Sequence, residues 1–349
     1  MDLSFSETQV QLADSVGTFL DRLPAKAMPK EPLRGGGESW KALAEELGLL
    51  GLMLPEEQGG FGAGGQELLV VMEAMGRHLF DQPFAEVAVT GMSLLLSAGE
   101  TVLAEQLARG DVLPVPVFRL AAEEVVGSAE TVTLSGQTGL VFPVTMASHF
   151  LVRARIEGAD ALLRIDAADT HVRPVATTDE RWAGQVTFKD APARVLLREA
   201  EATEAFARAE DVAIAALCAE ASGVVSRLLD DTVEYTKQRR QFGQPISRFQ
   251  VLQHRMADMF IQYEMAKSAA TLACLSLGKR ADERRKATSA AKMAVADACR
   301  FIGQNAIQLH GGLGMSAETE MTRWFKRATV IEYELGSRDD HLRRYMSQA

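Results

Sequence analysis

The sequence has few cysteines and no long apolar tract, and both shortages narrow the classes of protein that fit it. Its 349 residues include three cysteines, Cys218, Cys274 and Cys299. Their wide spacing is typical neither of a metal site nor of a disulfide framework, so we expect buried thiols, no metal and a reducing, cytoplasmic location. Because no run of 18 apolar residues occurs, we expect no membrane-spanning segment.

An excess of positive charge is also lacking. Lysine and arginine number 37 against 47 acidic residues, which gives a formal net charge of -10. Such a chain is repelled by nucleic-acid phosphates and by anionic lipid headgroups, so we expect no nucleic acid and no membrane among its partners. The first residues lack a basic segment followed by an apolar core, and a signal peptide is therefore not expected.

The N-terminal third of the sequence, residues 1–110, has the apolar spacing of amphipathic helices. Ser6 followed by Gln9 is the pattern of a capping box, which predicts that the first helix begins there. A glycine-rich stretch lacks the Gly-Lys-Ser/Thr ending of a phosphate-binding loop, so a turn is the better interpretation. The expected elements are a helix from Ser6, a loop at residues 32–37, a helix that ends at Gly51, a turn at residues 58–65, and helices at residues 66–78 and 87–110.

The period of the apolar pattern changes twice in the rest of the chain. Residues 111–198 alternate in short runs separated by glycine- and aspartate-containing turns, which predicts an antiparallel β domain. Residues 199–349 return to long helical patterns with short links, as in an up-and-down four-helix bundle. The predicted fold class is α+β, with an N-terminal all-α domain (1–110), a middle antiparallel β domain (111–198) and a C-terminal four-helix bundle (199–349).

Two segments about seventy residues apart resemble the flavin-binding signature of the acyl-CoA dehydrogenase family. The first is Tyr-Thr-Lys-Gln-Arg-Arg-Gln-Phe-Gly-Gln at residues 235–244, and the second is Ile-Gln-Leu-His-Gly-Gly-Leu-Gly-Met at residues 307–315. Together with the order of helices, β domain and bundle, they make the resemblance extend over essentially the whole chain. It implies FAD as cofactor, an acyl-CoA substrate oxidised to the 2,3-enoyl-CoA, and an electron-transfer flavoprotein as electron acceptor.

The resemblance also implies roles for individual residues. Arg239 corresponds to the cation on the FAD pyrophosphate, for which a forked guanidinium is well suited. Phe242 corresponds to an aromatic ring against the adenosine half. Alternatively, Arg239 is a solvated cation at a helix end. In the family these groups reach the FAD of a neighbouring subunit, so an oligomer is implied. The remaining positions that the resemblance places against the cofactor are Gln308, Gly311, Gly312 and Ser337.

The carboxylate that removes the substrate's α proton is missing from both positions where the family carries it. The Tyr-Glu-Gly segment of common members aligns with residues 334–336, which puts Leu335 at the base position. The second family position, on the first bundle helix, is Ala213. Glu210 and Asp211 are expected to face elsewhere on that helix. The Leu335 backbone N–H remains a donor for a developing enolate, because this donor needs no particular side chain.

The segments that cover the flavin ring in the family are also altered. Neither the Thr-Glu-Pro and Gly-Ser-Asp pattern nor the Trp-Ile-Thr pattern is recognisable at residues 118–124 and 139–144. In contrast, the ending at residues 336–342 resembles the Gly-Asp-Ala-Asp-x-His-Leu ending of shorter chains in bacterial two-subunit acyl-CoA dehydrogenases of the steroid and dicarboxylate type.

Three hypotheses therefore stay open at the level of sequence. In the one we favour, the chain is the shorter subunit of a two-subunit acyl-CoA dehydrogenase whose longer partner supplies the base. In the second, it is an active homo-oligomer in which Glu334, one residue displaced, is the base; otherwise Glu334 is a weakly paired surface carboxylate. In the third, it is a non-catalytic helical interaction protein that binds no flavin.

Overall fold

The computed structural model describes residues 5–23, 37–127, 130–316 and 319–347. The predicted loop at residues 32–37 lies outside these ranges except for its last residue. Along the described chain, helices are followed by a β-sheet and then by longer helices. This order confirms the predicted α+β fold class with N-terminal helices, a middle sheet and a C-terminal bundle.

The helices before the sheet begin where the sequence indicates. α1 starts with the predicted capping box, since the Gln9 N–H donates to Ser6 Oγ at 3.3 Å and the Ser6 N–H donates to Gln9 Oε1 at 2.9 Å. These elements are α1 (Glu7–Arg22), α2 (Glu38–Leu47), α3 (Gly65–Arg77), a π-helix (Phe84–Gly91), α4 (Met92–Ser97) and α5 (Thr101–Ala108).

Two of the predicted helix boundaries are wrong. α2 ends at Leu47 rather than near Gly51, because Gly48 takes a left-handed φ of 64° and a short 3₁₀ turn follows. The single helix predicted over residues 87–110 is broken before α5, where Gly99 has φ 68°. It also begins as a π-helix, a rare conformation that is frequent at functional sites.

The middle sheet is antiparallel with one exception. The strands are β1 (Pro114–Val117), β2 (Leu120–Val126), β3 (Thr131–Thr138), β4 (His149–Ile156), β5 (Ala159–Asp166), β6 (Thr170–Ala176) and β7 (Trp182–Arg198). Their order is β1-β4-β5-β7-β3-β2, with β6 also paired to β7. The exception is β1, which runs parallel to β4. A parallel pair needs a crossover, and the β2–β3 hairpin lies within it.

The C-terminal bundle has a short extra helix beyond the four that the sequence predicts. Its elements are α6 (Glu199–Gln238), a hairpin of β8 (Arg240–Gln241) and β9 (Gln244–Pro245), α7 (Gln250–Leu275), α8 (Ala281–His310), α9 (Met321–Tyr333) and α10 (Arg338–Met346). The extra helix, α10, packs against α8. Consequently the loop between α9 and α10 is held over the interior of the bundle.

α6 is the helix on which the N-terminal and C-terminal helices meet. A Cβ built on Gly223 of α6 would lie 2.0 Å from the carbonyl oxygen of Glu73, and one on Gly76 of α3 would lie 1.9 Å from the carbonyl oxygen of Glu220. The two backbones therefore touch at glycines. By length and composition α6 could cross a membrane, but 83% of its most apolar window is buried inside this protein.

The close backbone contact at Gly223 predicts that one added methyl group there will strongly reduce the stability of the fold. Gly223→Ala should destabilise the fold by about 2–3 kcal/mol, because backbone atoms of α3 must move to admit the Cβ. Gly17→Ala is the matched control: Gly17 lies in α1 with no atom within 4 Å of a built Cβ. There alanine should stabilise by about 0.5–1 kcal/mol. Chemical denaturation of both variants measures the difference, and a Gly223→Ala protein as stable as wild type would contradict the packing described.

Candidate functional site

A cavity of about 820 Å³ lies where the π-helix, the sheet, α6 and the C-terminal segment meet. All three parts of the fold contribute walls, so the cavity exists only in the folded protein. Its lining includes Ala85, Glu86 and Thr90 from the π-helix, Pro116, Phe118 and Arg119 near the first strands, residues 139–142, Glu210, Ala213, Leu217 and Glu220 from α6, and residues 334–336 before α10.

The structure brings the two expected base positions together in this cavity. Leu335 lines it from the loop after α9, and Ala213 lines it from α6. Leu335 is 37% exposed and Ala213 is 7% exposed. Because neither side chain accepts a proton, the cavity has no carboxylate at the two positions where the resembled family carries one.

The expectation that Glu210 and Asp211 both face away from this site is wrong for Glu210. Glu210 lines the cavity together with Ala213, since residues three apart share one face of a helix. Asp211 does point elsewhere: its carboxylate is buried and accepts hydrogen bonds from Arg284 Nε at 2.8 Å and from Arg344 Nη2 at 2.6 Å. Adjacent residues therefore have different surroundings: Glu210 lines the cavity, and Asp211 forms an ion pair inside the bundle.

Glu334 is not a weakly paired surface carboxylate. Its side chain is 22% exposed, lines the cavity and accepts from Arg327 Nη1 at 2.7 Å and from Arg181 Nη2 at 3.2 Å. Arg327 also donates to Glu220 at 2.6 and 2.8 Å and to Asp179 at 3.1 Å. The two guanidiniums thereby join the sheet, α6, α9 and the loop before α10.

Two carboxyl groups share Arg181 and titrate in opposite directions. Burial alone would raise the pKa of Glu334, but the adjacent Arg327 and Arg181 cations hold that pKa below its usual value. Burial raises the pKa of Glu86 to about 7, although Arg181 opposes the shift. Glu86 has one contact in this network, a 3.3 Å bond from Arg181 Nη1. Glu334 is thus a firmly held anion and a poor base, whereas Glu86 exchanges a proton near neutral pH.

Glu86 is a residue that the sequence reading missed. It is the sole charged residue between Asp81 and Glu100, in the π-helix that lines the cavity. A lone carboxylate inside an apolar helical run is a sequence signal for a buried acidic group. The signal is weak, because a single acidic residue is more often exposed.

The two flavin-signature segments meet at the opposite end of the bundle. The ring of Tyr235, near the end of α6, stacks on His310, the last residue of α8, with centroids 4.2 Å apart. His310 is packed and hydrogen-bonded, since its Nδ1 lies 2.9 Å from the Ala306 carbonyl oxygen. Nearby, Phe242 is 90% exposed at the tip of the β8–β9 hairpin. The exposed Phe242 ring is accessible to a ligand or a partner.

This end of the bundle fits the nucleotide half of FAD. Arg239 and Gln308 are exposed, and within the described ranges no ion pair involves the Arg239 guanidinium. Gly311 and Gly312 are exposed, and no atom lies within 4 Å of a Cβ built on either. A cation beside open glycine backbone admits a phosphate and a flat base at close range.

Fewer residues of this chain fit the isoalloxazine half of FAD than fit its nucleotide half. Residues 118–119 and 139–142 line the cavity where the covering segments are expected, but their sequence lacks the hydroxyl and amide pattern of the family. Ser337, the remaining expected cofactor residue, caps α10 and donates from Oγ to Asp340 at 2.6 Å. It adjoins the cavity loop, which contacts Lys292. Lys292 and His310 are both on α8, and at the helical rise per residue they lie about 27 Å apart along the helix axis.

Comparisons with known proteins bear on the fold and the family. The model of the acyl-CoA dehydrogenase N-terminal domain matches residues 6–109, and that of the C-terminal domain matches residues 211–348. Acyl-CoA dehydrogenase IpdE2 of Mycobacterium tuberculosis is 31% identical over 323 residues, which cover 90% of this chain and 88% of that protein.

Two solved structures of paired chains are similar over their full length. A chain of the ChsE4-ChsE5 complex from Mycobacterium tuberculosis superposes with a TM-score of 0.91 at 25% identity, covering 100% of this chain and 98% of that one. A chain of the steroid ACAD Tcur3481-Tcur3483 superposes with a TM-score of 0.87 at 27% identity, covering 98% and 97%.

The Glu86 and Glu334 shifts predict opposite effects of neutral substitutions on stability at pH 8. The folded state holds the Glu86 proton more tightly than the unfolded chain, so stability is lost as pH rises from about 4.5 to about 7. The free energy of unfolding of Glu86→Gln, measured relative to wild type, should therefore increase by about 2 kcal/mol between pH 5 and pH 8. Glu334 has a lowered pKa and stabilises the fold when ionised.

Glu334→Gln is accordingly the matched variant, and it should be less stable than wild type by a similar amount at pH 8 and pH 5, because the loss shrinks only as the pH falls below about 4.5. Urea denaturation at pH 5 and pH 8 measures both effects. A common sign for the two variants at pH 8 would contradict the assignment.

Proposed function

This chain belongs to the acyl-CoA dehydrogenase family, and we propose that it is the shorter, FAD-associated subunit of a cytoplasmic two-subunit enzyme. The reaction is α,β-dehydrogenation of an acyl-CoA thioester to the 2,3-enoyl-CoA. A longer acyl-CoA dehydrogenase subunit supplies the base, and an electron-transfer flavoprotein accepts the electrons. The similarity to a chain of the steroid ACAD Tcur3481-Tcur3483 favours a bulky acyl group of lipid or steroid catabolism.

One observation carries this proposal. Leu335 and Ala213, which the family resemblance aligns with the two base positions, line the same cavity, and the neighbouring carboxylate of Glu334 is held by two guanidiniums. A base needs a free lone pair within reach of the substrate proton and a pKa near the working pH. The adjacent cations hold the pKa of Glu334 below its usual value, which argues against the active homo-oligomer that uses it. We therefore assign the base to the longer chain rather than to Glu334.

The exposed nucleotide end of the bundle supports the cofactor. Arg239 would bind the pyrophosphate, Phe242 would pack on the adenosine half, and Gln308, Gly311 and Gly312 would contact the adenine. All lie at the surface, as expected for groups that reach a flavin held mainly by a partner subunit. When bound, FAD accepts the hydride from the substrate's β carbon.

The residues of this chain act on the thioester by positioning and polarisation. The cavity encloses the acyl group in walls that include Phe118, Leu140 and Leu217. The Leu335 backbone N–H donates to the thioester oxygen as negative charge develops there during removal of the α proton. A preorganised donor of this kind is worth a few kcal/mol in the transition state, about 3 in measured cases.

Co-expression with the product of the adjacent acyl-CoA dehydrogenase gene tests the proposal. We expect a complex of a longer and a shorter chain that retains about one FAD per pair, whereas this chain alone retains little. Replacing the partner's base should abolish dehydrogenation, while Glu334→Gln in this chain should reduce it far less. A yellow, fully active homo-oligomer would contradict the two-subunit assignment. A colourless complex that takes up no FAD would instead favour the helical interaction protein.

Arg239→Ala should weaken FAD retention by about tenfold, because one charged hydrogen-bonding partner of the pyrophosphate is lost. Arg280→Ala is the control. The Arg280 side chain is 80% exposed and lies at the far end of α8 from Gln308, about 42 Å away along the helix. Fluorimetric FAD titration of the co-expressed complex measures both variants, and equal FAD affinities would remove the assigned role of Arg239.

A further inference from the structure

The loop between α9 and α10 carries backbone strain at the edge of the cavity. Leu335 has a φ of +57° and Gly336 a φ of +112°. Glycine tolerates this region, but a leucine there is uncommon and persists only where its surroundings fix the conformation. Leu335 lines the cavity. The question is therefore which groups hold this turn in place.

A buried lysine holds one side of the turn. Lys292 of α8 is 0% exposed, and its ammonium donates to the carbonyl oxygens of Ile331 at 2.9 Å, Glu332 at 3.1 Å and Gly336 at 3.1 Å. Two of these carbonyls belong to the last turn of α9, where carbonyls lack helical partners and a cation is favoured. The third fixes the turn itself. All three donors of the lysine are thus used on the main chain.

A buried histidine holds the other side. His341 of α10 is 2% exposed, and its Nε2 donates to the Leu335 carbonyl oxygen at 3.0 Å. Burial lowers the pKa of His341 to about 4, so the ring is neutral at physiological pH. A neutral ring that donates from Nε2 is the tautomer with its proton on that nitrogen. The carbonyls of Leu335 and Gly336 are therefore both anchored.

One group of the turn stays unanchored. The N–H of Glu334 donates to the Val330 carbonyl oxygen at 3.0 Å, and the N–H of Gly336 donates to the Tyr333 carbonyl oxygen at 3.2 Å. Across the parts of the chain that the structure describes, no backbone hydrogen bond uses the N–H of Leu335. The carbonyls of Leu335 and Gly336 are thus hydrogen-bonded to the bundle, while the Leu335 N–H remains available to a ligand.

We propose that Lys292 and His341 are positioning residues that hold the Leu335 N–H as a preorganised hydrogen-bond donor for the thioester oxygen of a ligand in this cavity. The identity of the ligand as an acyl-CoA rests on the proposed function. Lys292 lies outside the cavity lining, whereas His341 is part of it. They act by fixing the carbonyls on both sides of the donor, so that it needs no rearrangement when charge develops on the oxygen.

A pair of ligands that differ in one oxygen isolates this donor. Decanoyl-CoA carries the thioester carbonyl, whereas S-decyl-CoA, a thioether, has the same length and no carbonyl oxygen. We expect the wild-type full-length chain to bind the thioester about tenfold more tightly, as measured by isothermal titration. Lys292→Met should bring the ratio of the two dissociation constants close to one, while the thioether constant changes less than about twofold. A merely structural role would weaken both ligands together.

Three further variants keep the test decisive. Lys326→Met is the matched control, because Lys326 lies on α9 and its amine pairs with Glu180 at 2.6 Å rather than with the turn; its ratio should equal that of wild type. His341→Gln keeps an N–H that reaches the Leu335 carbonyl and should keep the ratio, whereas His341→Leu should lose it. This histidine pair answers the question even if Lys292→Met does not fold.

The outcomes separate this inference from the proposed function. If wild type binds neither ligand, the acyl-CoA assignment is wrong and the inference falls with it. Equal affinities for the two ligands in wild type overturn the donor role, although an acyl-CoA site would stand. A wild-type preference that persists in both Lys292→Met and His341→Leu overturns the positioning role alone.

Discussion

The cavity depends on a buried cluster of charges in which Arg327 is central. Its guanidinium contacts Glu220 on α6, Asp179 beside the sheet and Glu334 in the loop after α9. The Arg327 side chain is 4% exposed and that of Asp179 is 0% exposed, so these groups have given up most of their hydration. Buried ions are tolerated only when their partners stay in place. The bundle and the sheet are therefore held in one arrangement, because separating them leaves an unpaired charge.

The cluster and the carbonyl anchors fix the same short loop from two directions. Arg327 and Arg181 hold the side chain of Glu334, and Lys292 and His341 hold the main chain that follows it. A loop with its side chain and backbone both tied down keeps its shape when a ligand enters. The same ties that make the loop rigid also keep Glu334 ionised and occupied. Rigidity at this edge of the cavity and the lowered pKa of Glu334 therefore have one structural cause.

The two halves of the candidate site lie at opposite ends of the bundle and differ in character. At one end Phe242 and the glycines at 311–312 form an open surface. At the other, a cavity of about 820 Å³ opens partly to solvent. An open surface is completed by a second molecule, while a concave cavity selects a ligand by shape and charge. This division accords with the proposed subunit, which would offer its open surface to the nucleotide of a partner's FAD and its cavity to the acyl group.

The sequence by itself determined the family, the order of helices, sheet and bundle, and the two segments of the flavin signature. These features are local, since a capping box at Ser6 or the glycines at 311–312 are defined by neighbours in the chain. It also led to the prediction that Leu335 and Ala213 stand at the base positions, because the residue type at an aligned position is visible without coordinates.

Only the tertiary structure decided which charged groups face the cavity. Glu210 and Asp211 differ by one position, yet one lines the cavity and the other pairs inside the bundle. Glu86 is 248 residues from Glu334 in the sequence, and both contact Arg181. Burial and distant partners set the pKa of such groups and the use of their hydrogen bonds. Those partners become neighbours only when the three parts of the chain pack together, so no local pattern records them.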